Sequence, residues 1–227
     1  MVRARMQNQT LDLRRCQTLA SMDCESCTIK GAIEAGAEPG AWTEIHDCRL
    51  TDCAQIHVSL ATSSLERVTV NGMRRGGRSP LYLWGCTFRE VTLAGKLHGL
   101  KINMEIGLHH RRDPTLQMAW TKALEGYYSE DAWALDIREA RFTSVPTFEA
   151  IPGERVLIDP ARQARVQRSA LNAIDVKSLP MAVALDWFVR RSPFESVVLA
   201  SSSEPSRRQG DLDKLAKLRD LGIAEPQ

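Results

Sequence analysis

The chain has 227 residues, 43% hydrophobic and 26% charged, with a formal net charge of +2. This is ordinary globular usage, which excludes a disordered chain and is long enough to bury a core in one large domain or two small ones. A charge so near neutral excludes a nucleic-acid-binding field, or an acidic mimic, written across the whole chain.

The first residues, MVRARMQNQTLDLRRCQ, are basic, but no apolar stretch follows them. A secretory signal is therefore not expected. No window approaches the ~18 apolar residues of a spanning helix, so no membrane association is expected, and the cytosol is the expected compartment. All six cysteines fall within the first 86 residues. In a reducing compartment they read as free thiols or metal ligands rather than disulfides.

From Thr10 to Ile106 the apolar residues come in pairs spaced by two, the period of a strand. Examples are Leu11 and Leu13, Ile56 and Val58, Val68 and Val70, Leu81 and Leu83, and Leu100 and Ile102. A short helical stripe at Ala32 to Ala37 ends at Pro39-Gly40. Glu34 to Trp42 and Met73 to Ser79 read as loops. A second period overlies the strands. Leu81, Cys86 and Val91 are five apart, as are Leu83, Phe88 and Leu93, and Cys48, Cys53 and Val58. This recurrence resembles pentapeptide-repeat proteins and, more broadly, right-handed β-helices. The resemblance covers Leu81 to Leu93 and part of Ile45 to Val58. It implies stacked rungs that bury a continuous core no single rung could bury alone. The expected fold is thus an irregular right-handed β-helix-like solenoid over 1–112, followed by a small α/β unit over 113–227. An irregular antiparallel β-sandwich is the alternative for the first part.

In the second part, Asp113-Pro114 reads as N-cap and first helical position. Leu116, Ala119, Trp120, Ala123 and Leu124 continue that helix to Gly126, where it would cap the open end of the coil. Ala134 to Ile137 and Arg155 to Ile158 read as strands, and Ala164 to Ala173 as a turn or helix after Asp159-Pro160. Met181 to Arg191 reads as a helix, Ser196 to Ala200 as a strand and Ser201 to Gln209 as a polar loop. The last helix is expected over Asp211 to Leu221, with Gly222 closing it. Gly222-Ile223-Ala224 running to Pro226 reads as a complete C-terminal end.

The chain contains no GxGxxG, GxxxxGK[ST], HExxH or GxSxG. The nucleotide, zincin and hydrolase chemistries that a sequence can announce are therefore not announced. Cys24-x-x-Cys27 and Cys48-x4-Cys53 could supply four soft ligands to zinc, the one cofactor considered. The main reading makes them core thiols. His46, Asp47 and Cys48 could be assembled into a nucleophile, base and acid, although histidines on loops or the surface are the plainer reading.

Arg74, Arg75 and Arg78 form one basic cluster, and His109, His110, Arg111 and Arg112 another. Residues 1–112 carry 15 Lys+Arg against 11 Asp+Glu, and residues 113–227 carry 15 against 17. Tyr127 and Tyr128 lie at the junction of the two parts, where exposed aromatics mark interfaces and buried ones pack the parts together.

Three functions follow. The first is a non-enzymatic binding protein, contacting another protein through Arg74, Arg75, Arg78, Arg111, Arg112, Tyr127 and Tyr128. Small bacterial cytosolic proteins of such a build are often accessory or toxin-neutralising (immunity) factors, an analogy at the level of fold. The second is an enzyme with its site at the junction, using His109, His110, Glu130 and Asp136. The third is nucleic-acid binding through the arginine clusters. For some members the pentapeptide-repeat resemblance implies duplex-DNA mimicry, but a basic first half departs from that pattern. The sequence leaves the oligomeric state open.

Overall fold

The structure, a computed structural model, describes residues 3–15, 19–34, 38–77, 79–107, 113–129, 132–172 and 174–226. Nearly every strand is parallel to its neighbours. Thirteen strands form one sheet, curled as a half-barrel, and four more form a second parallel sheet from Leu19–Ala20, Thr43–His46, Ser63–Glu66 and Thr87–Arg89. Three helices complete the fold: α1 (Pro114–Tyr127), α2 (Ala182–Arg191) and α3 (Pro205–Asp220).

The five-residue step belongs to the backbone itself. Asp47, Asp52, His57, Thr62, Arg67 and Gly72 all have positive φ, as do Gly85, Glu90 and Gly95. Each such residue turns the chain sharply and, except at Gly95, where the outward Lys96 follows, delivers the next side chain to the interior. Cys48, Cys53, Val58, Ser63, Val68 and Met73 are all buried. Small polar side chains at these corners also reach the carbonyl two residues back, which at Thr51 and Trp84 already accepts a backbone N–H. Cys53 Sγ donates to Thr51 O, Cys86 Sγ to Trp84 O and Ser63 Oγ to Ala61 O, each two residues back. Cysteine at these corners is thus both a small apolar filler and a weak donor.

The expected solenoid followed by a separate α/β unit is corrected. Hydrogen bonding of the large sheet runs on into the second half of the chain. Val91–Leu97 pairs with Leu135–Asp136 and Ala140–Phe142, and Leu135–Asp136 pairs with Val156–Leu157. Leu100–Asn103 likewise pairs with Thr147–Phe148. The result is a mostly parallel curled sheet with helices, an α/β-like arrangement. The physical reason is that the short apolar strands after residue 132 find their partners in the first half, and one core from Leu13 to Ala200 closes over both.

α1 forms as expected. Asp113 Oδ1 accepts Leu116 N at 3.0 Å, and Pro114 occupies the first turn. The C-terminal end of α1 meets the four-stranded sheet: Tyr127 OH lies 3.5 Å from Ser64 Oγ, and Phe88 N donates to Tyr128 OH at 3.1 Å. Residues Gln163–Gln167, read as turn or helix, are a strand antiparallel to Ser196–Ala200. Ser196–Ala200 is buried on both faces, Val198 and Ala200 in the main core, and Val197 and Leu199 in a second core under α2 and α3. A strand covered on both sides reads as a continuous apolar run.

Candidate partner-binding surface

Three neighbouring parallel strands place cations on the outer face of the large sheet. Met73, Leu97 and Phe142 share a register position and point into the core. Side chains alternate along a strand, so their neighbours Arg74, Lys96 and Arg141 point outward. All three are exposed, as is Arg75. Lys96 stands directly across from Arg141 in the register. Arg74 Nη2 donates to Asp52 O at 3.3 Å, and Arg75 Nε to Gly77 O. Lys96 Nζ lies 3.6 Å from Glu204.

His98 sits at the edge of this patch, 2.6 Å from Thr143 Oγ1 through Nδ1. Burial lowers its pKa, and the nearby Arg75 and Lys96 lower it further while Glu204 opposes them. Arg78, Arg111 and Arg112 lie outside the described residues.

The two tyrosines differ. Tyr128 is 8% exposed and its hydroxyl is engaged by Phe88 N, so it belongs to the core. Tyr127 is half-buried. Its ring meets Trp42 edge-on at 5.5 Å, Arg89 lies over it at 5.2 Å, and its hydroxyl donates to Glu66 Oε1 at 3.4 Å.

Cys24, Cys27, Cys48 and Cys53 are all buried. Cys53 Sγ also lies 3.4 Å from Cys24 O, and Cys48 Sγ lies 3.5 Å from Leu19 O, each across to a neighbouring strand. Burial, together with the neighbouring thiols, pushes Cys24 up to about 12, and burial pushes Cys86 to about 12. Burial likewise favours the neutral thiol at Cys48 and Cys53. Among the described residues no three His, Cys, Asp or Glu side chains are grouped to hold a metal. Ellman titration at about pH 8 is expected to leave Cys24, Cys27, Cys48, Cys53 and Cys86 unreacted until the protein is unfolded.

Of the constellation His46, Asp47 and Cys48, the first two meet and the thiol does not join them. His46 Nδ1 lies 2.9 Å from Asp47, whose carboxylate takes two bonds from Arg67, at 2.8 and 3.0 Å. Cys48 points to the other side of the strand, into the core. Asp136 is held by Arg138 through Nε at 3.0 Å and Nη2 at 2.7 Å. His109, His110 and Glu130, its expected companions, lie outside the described residues.

Sequence reasoning missed a polar cluster around the buried Glu149, between the sheet and α2. Glu149 is 2% exposed, accepts Met104 N at 3.4 Å, and lies 3.8 Å from Arg191 Nη1. Arg191 also reaches Glu105, at 3.6 Å, and packs over the Trp187 ring. Lys101 Nζ donates to Val145 O at 3.2 Å. The one signal in the sequence was a charge inside the apolar run Thr147-Phe148-Glu149-Ala150-Ile151. Burial raises the Glu149 pKa, although Arg191 opposes the rise. A carboxyl with a raised folded pKa binds its proton more tightly folded than unfolded. Stability therefore falls as pH climbs from the ordinary carboxylate range through the raised value. Glu149→Gln is expected to flatten that limb and to be the more stable protein at neutral pH, as read from urea midpoints over about pH 4–8. A variant that follows the wild-type curve would contradict this.

No helix among the described residues is long and apolar enough to cross a membrane. No known protein family matches the chain, nor does any curated protein or solved structure.

Proposed function

We propose that the protein is a non-enzymatic binding protein, an accessory or neutralising factor that docks an acidic surface of a partner protein on the cationic patch of Arg74, Arg75, Lys96 and Arg141. The observation that carries this reading is the placement of outward cations on three hydrogen-bonded strands of one sheet. A rigid sheet holds the backbone positions of these charges in fixed register, so no backbone ordering is needed on docking. Complementary charge then sets the encounter rate and the orientation.

The size of the patch favours a protein over a nucleic acid. Several other surface arginines are paired with carboxylates: Arg14 with Asp12, Arg67 with Asp47, Arg138 with Asp136 and Arg162 with Asp159. The cationic patch spans two inter-strand spacings, about 10 Å. Tight phosphate-backbone binding draws on roughly 6–10 contacts along a longer track. Filter binding with duplex DNA and single-stranded RNA tests this. Retention is expected to be negligible at about 200 mM salt. Tight retention that weakens steeply with salt would replace the protein reading with the nucleic-acid one.

A further inference from the structure

Away from the cationic patch, the chain builds a pocket beside the polar cluster around Glu149. It has a volume of about 290 Å³ and lies between the strand Leu100–Asn103, the strand Thr147–Phe148 and the start of α2. We infer that this pocket binds a small monocarboxylate carrying an apolar body.

The floor is polar. Lys101 and Thr147 are register partners on adjacent strands, and their neighbours Ile102 and Phe148 point into the core. Both side chains therefore rise from the same side of the sheet. Thr147 is 6% exposed, and its buried Oγ1 has no hydrogen-bond partner among the described residues. A buried hydroxyl is normally paired, so an unpaired one lining a cavity marks the place of a missing oxygen or donor. Lys101 Nζ gives one proton to Val145 O and has two more to offer.

The walls are apolar. Met181, Val183 and Trp187 line them, and Val183 is 67% exposed at the mouth. Met181 is the N-cap of α2, with φ of 58° and no side-chain cap bond. The first turn of this ten-residue helix thus lines the pocket with its positive end uncapped by a side chain.

Charge fixes the class of ligand. Lys214 and Asp211 also line the pocket, but Lys214 Nζ bonds Asp211 at 3.0 Å and Asp211 accepts Ser202 N at 3.2 Å. That pair is neutral within itself. Glu149 lies further along the strand, and Arg191 is 3.8 Å from it. Arg191 is shared by Glu149 and Glu105, so Glu149 also acts on Lys101. Lys101 is the cation lining the cavity with N–H donors to spare, and one ammonium group matches a monocarboxylate better than a phosphate dianion. At roughly 30 Å³ per water-sized group the volume holds on the order of ten heavy atoms. An apolar wall with a few convergent polar groups is the general form of a small-molecule site.

The test uses benzoate as the probe on the full chain, followed by ligand-observed saturation-transfer NMR and calorimetry. Benzoate is expected to bind in the millimolar range or tighter, and benzyl alcohol and inorganic phosphate at least tenfold more weakly. Lys101→Met, which keeps the aliphatic stem, should weaken benzoate at least tenfold, and Thr147→Val several-fold. Val183→Asp, at an exposed position where folding is not at stake, should also weaken it. No benzoate binding up to tens of millimolar would overturn the assignment. So would unchanged binding in folded Lys101→Met and Val183→Asp, or phosphate binding as tightly as benzoate.

Discussion

Replacing Phe142 with alanine is expected to destabilise the protein by about 3–5 kcal/mol. Phe142 is 1% exposed and meets Phe148 edge-on, with ring centroids 5.8 Å apart. Its backbone carbonyl accepts Ser203 N at 2.6 Å. It therefore sits where the curled sheet joins the segment leading into α3. Truncation loses the transfer energy of the ring, leaves a cavity between two strands, and removes an aromatic pair worth about 0.5–1.5 kcal/mol within that total. The loss is a large share of a typical domain's 5–15 kcal/mol. Urea unfolding should show a lower midpoint at unchanged slope. Met118→Ala on α1, at a side chain 70% exposed, should stay within about 0.5 kcal/mol of wild type. A Phe142→Ala variant as mild as Met118→Ala would mean that the two halves do not share a core.

Gly95→Ala is the second large effect, at about 2–4 kcal/mol. Gly95 has φ of +69°, and a Cβ there would lie 2.7 Å from Asn71 Oδ1 and 3.0 Å from Gly72 N. The left-handed conformation costs an L side chain about 1–3 kcal/mol. Crowding against the neighbouring backbone adds about 1–3 kcal/mol where nothing can move aside. Gly72 cannot retreat easily, because it holds a positive φ of its own. Gly126, in α1, has nothing within 4 Å of where its Cβ would stand. Gly126→Ala is therefore expected to stabilise by roughly 0.5–1 kcal/mol. Equal effects at the two sites would contradict the turn geometry described for the five-residue step.

Local signals in the sequence were readable where one residue type does one job. Asp113-Pro114 announced α1 because a carboxylate cap and a proline at the first turn suit few other structures. Ser196–Ala200 was readable as a strand because both its faces are buried. The five-residue step was readable because each inward residue follows a turn. Pairing was not readable. Nothing local says that Ala140–Phe142 lies beside Val91–Leu97, and this long-range register makes one curled sheet of what read as two separate parts.

Gln163–Gln167 read as turn or helix through its alanines. Tertiary pairing with Ser196–Ala200 overrode that, burying Ala164 and Val166. α3 begins at Pro205 rather than Asp211 because its first turns need only a tolerant proline and a solvent-facing polar surface. Of the candidate site, Arg74 and Arg75 were visible as a run. Lys96 and Arg141 joined them only through strand register, and the cluster of Glu149, Lys101 and Arg191 needed three elements distant in sequence.

The proposed docking of an acidic protein surface on Arg74, Arg75, Lys96 and Arg141 is open to a direct test. The most direct measurement is quantitative affinity capture, comparing wild type with a variant carrying Arg74→Glu, Lys96→Glu and Arg141→Glu. All three positions are exposed, so the melting temperature should hold within the range of surface substitutions. The expected result is a protein partner that wild type retains, whose binding weakens with salt, and that the charge-reversed variant loses. An identical captured set from both proteins, or a partner that proves to be nucleic acid, would contradict it.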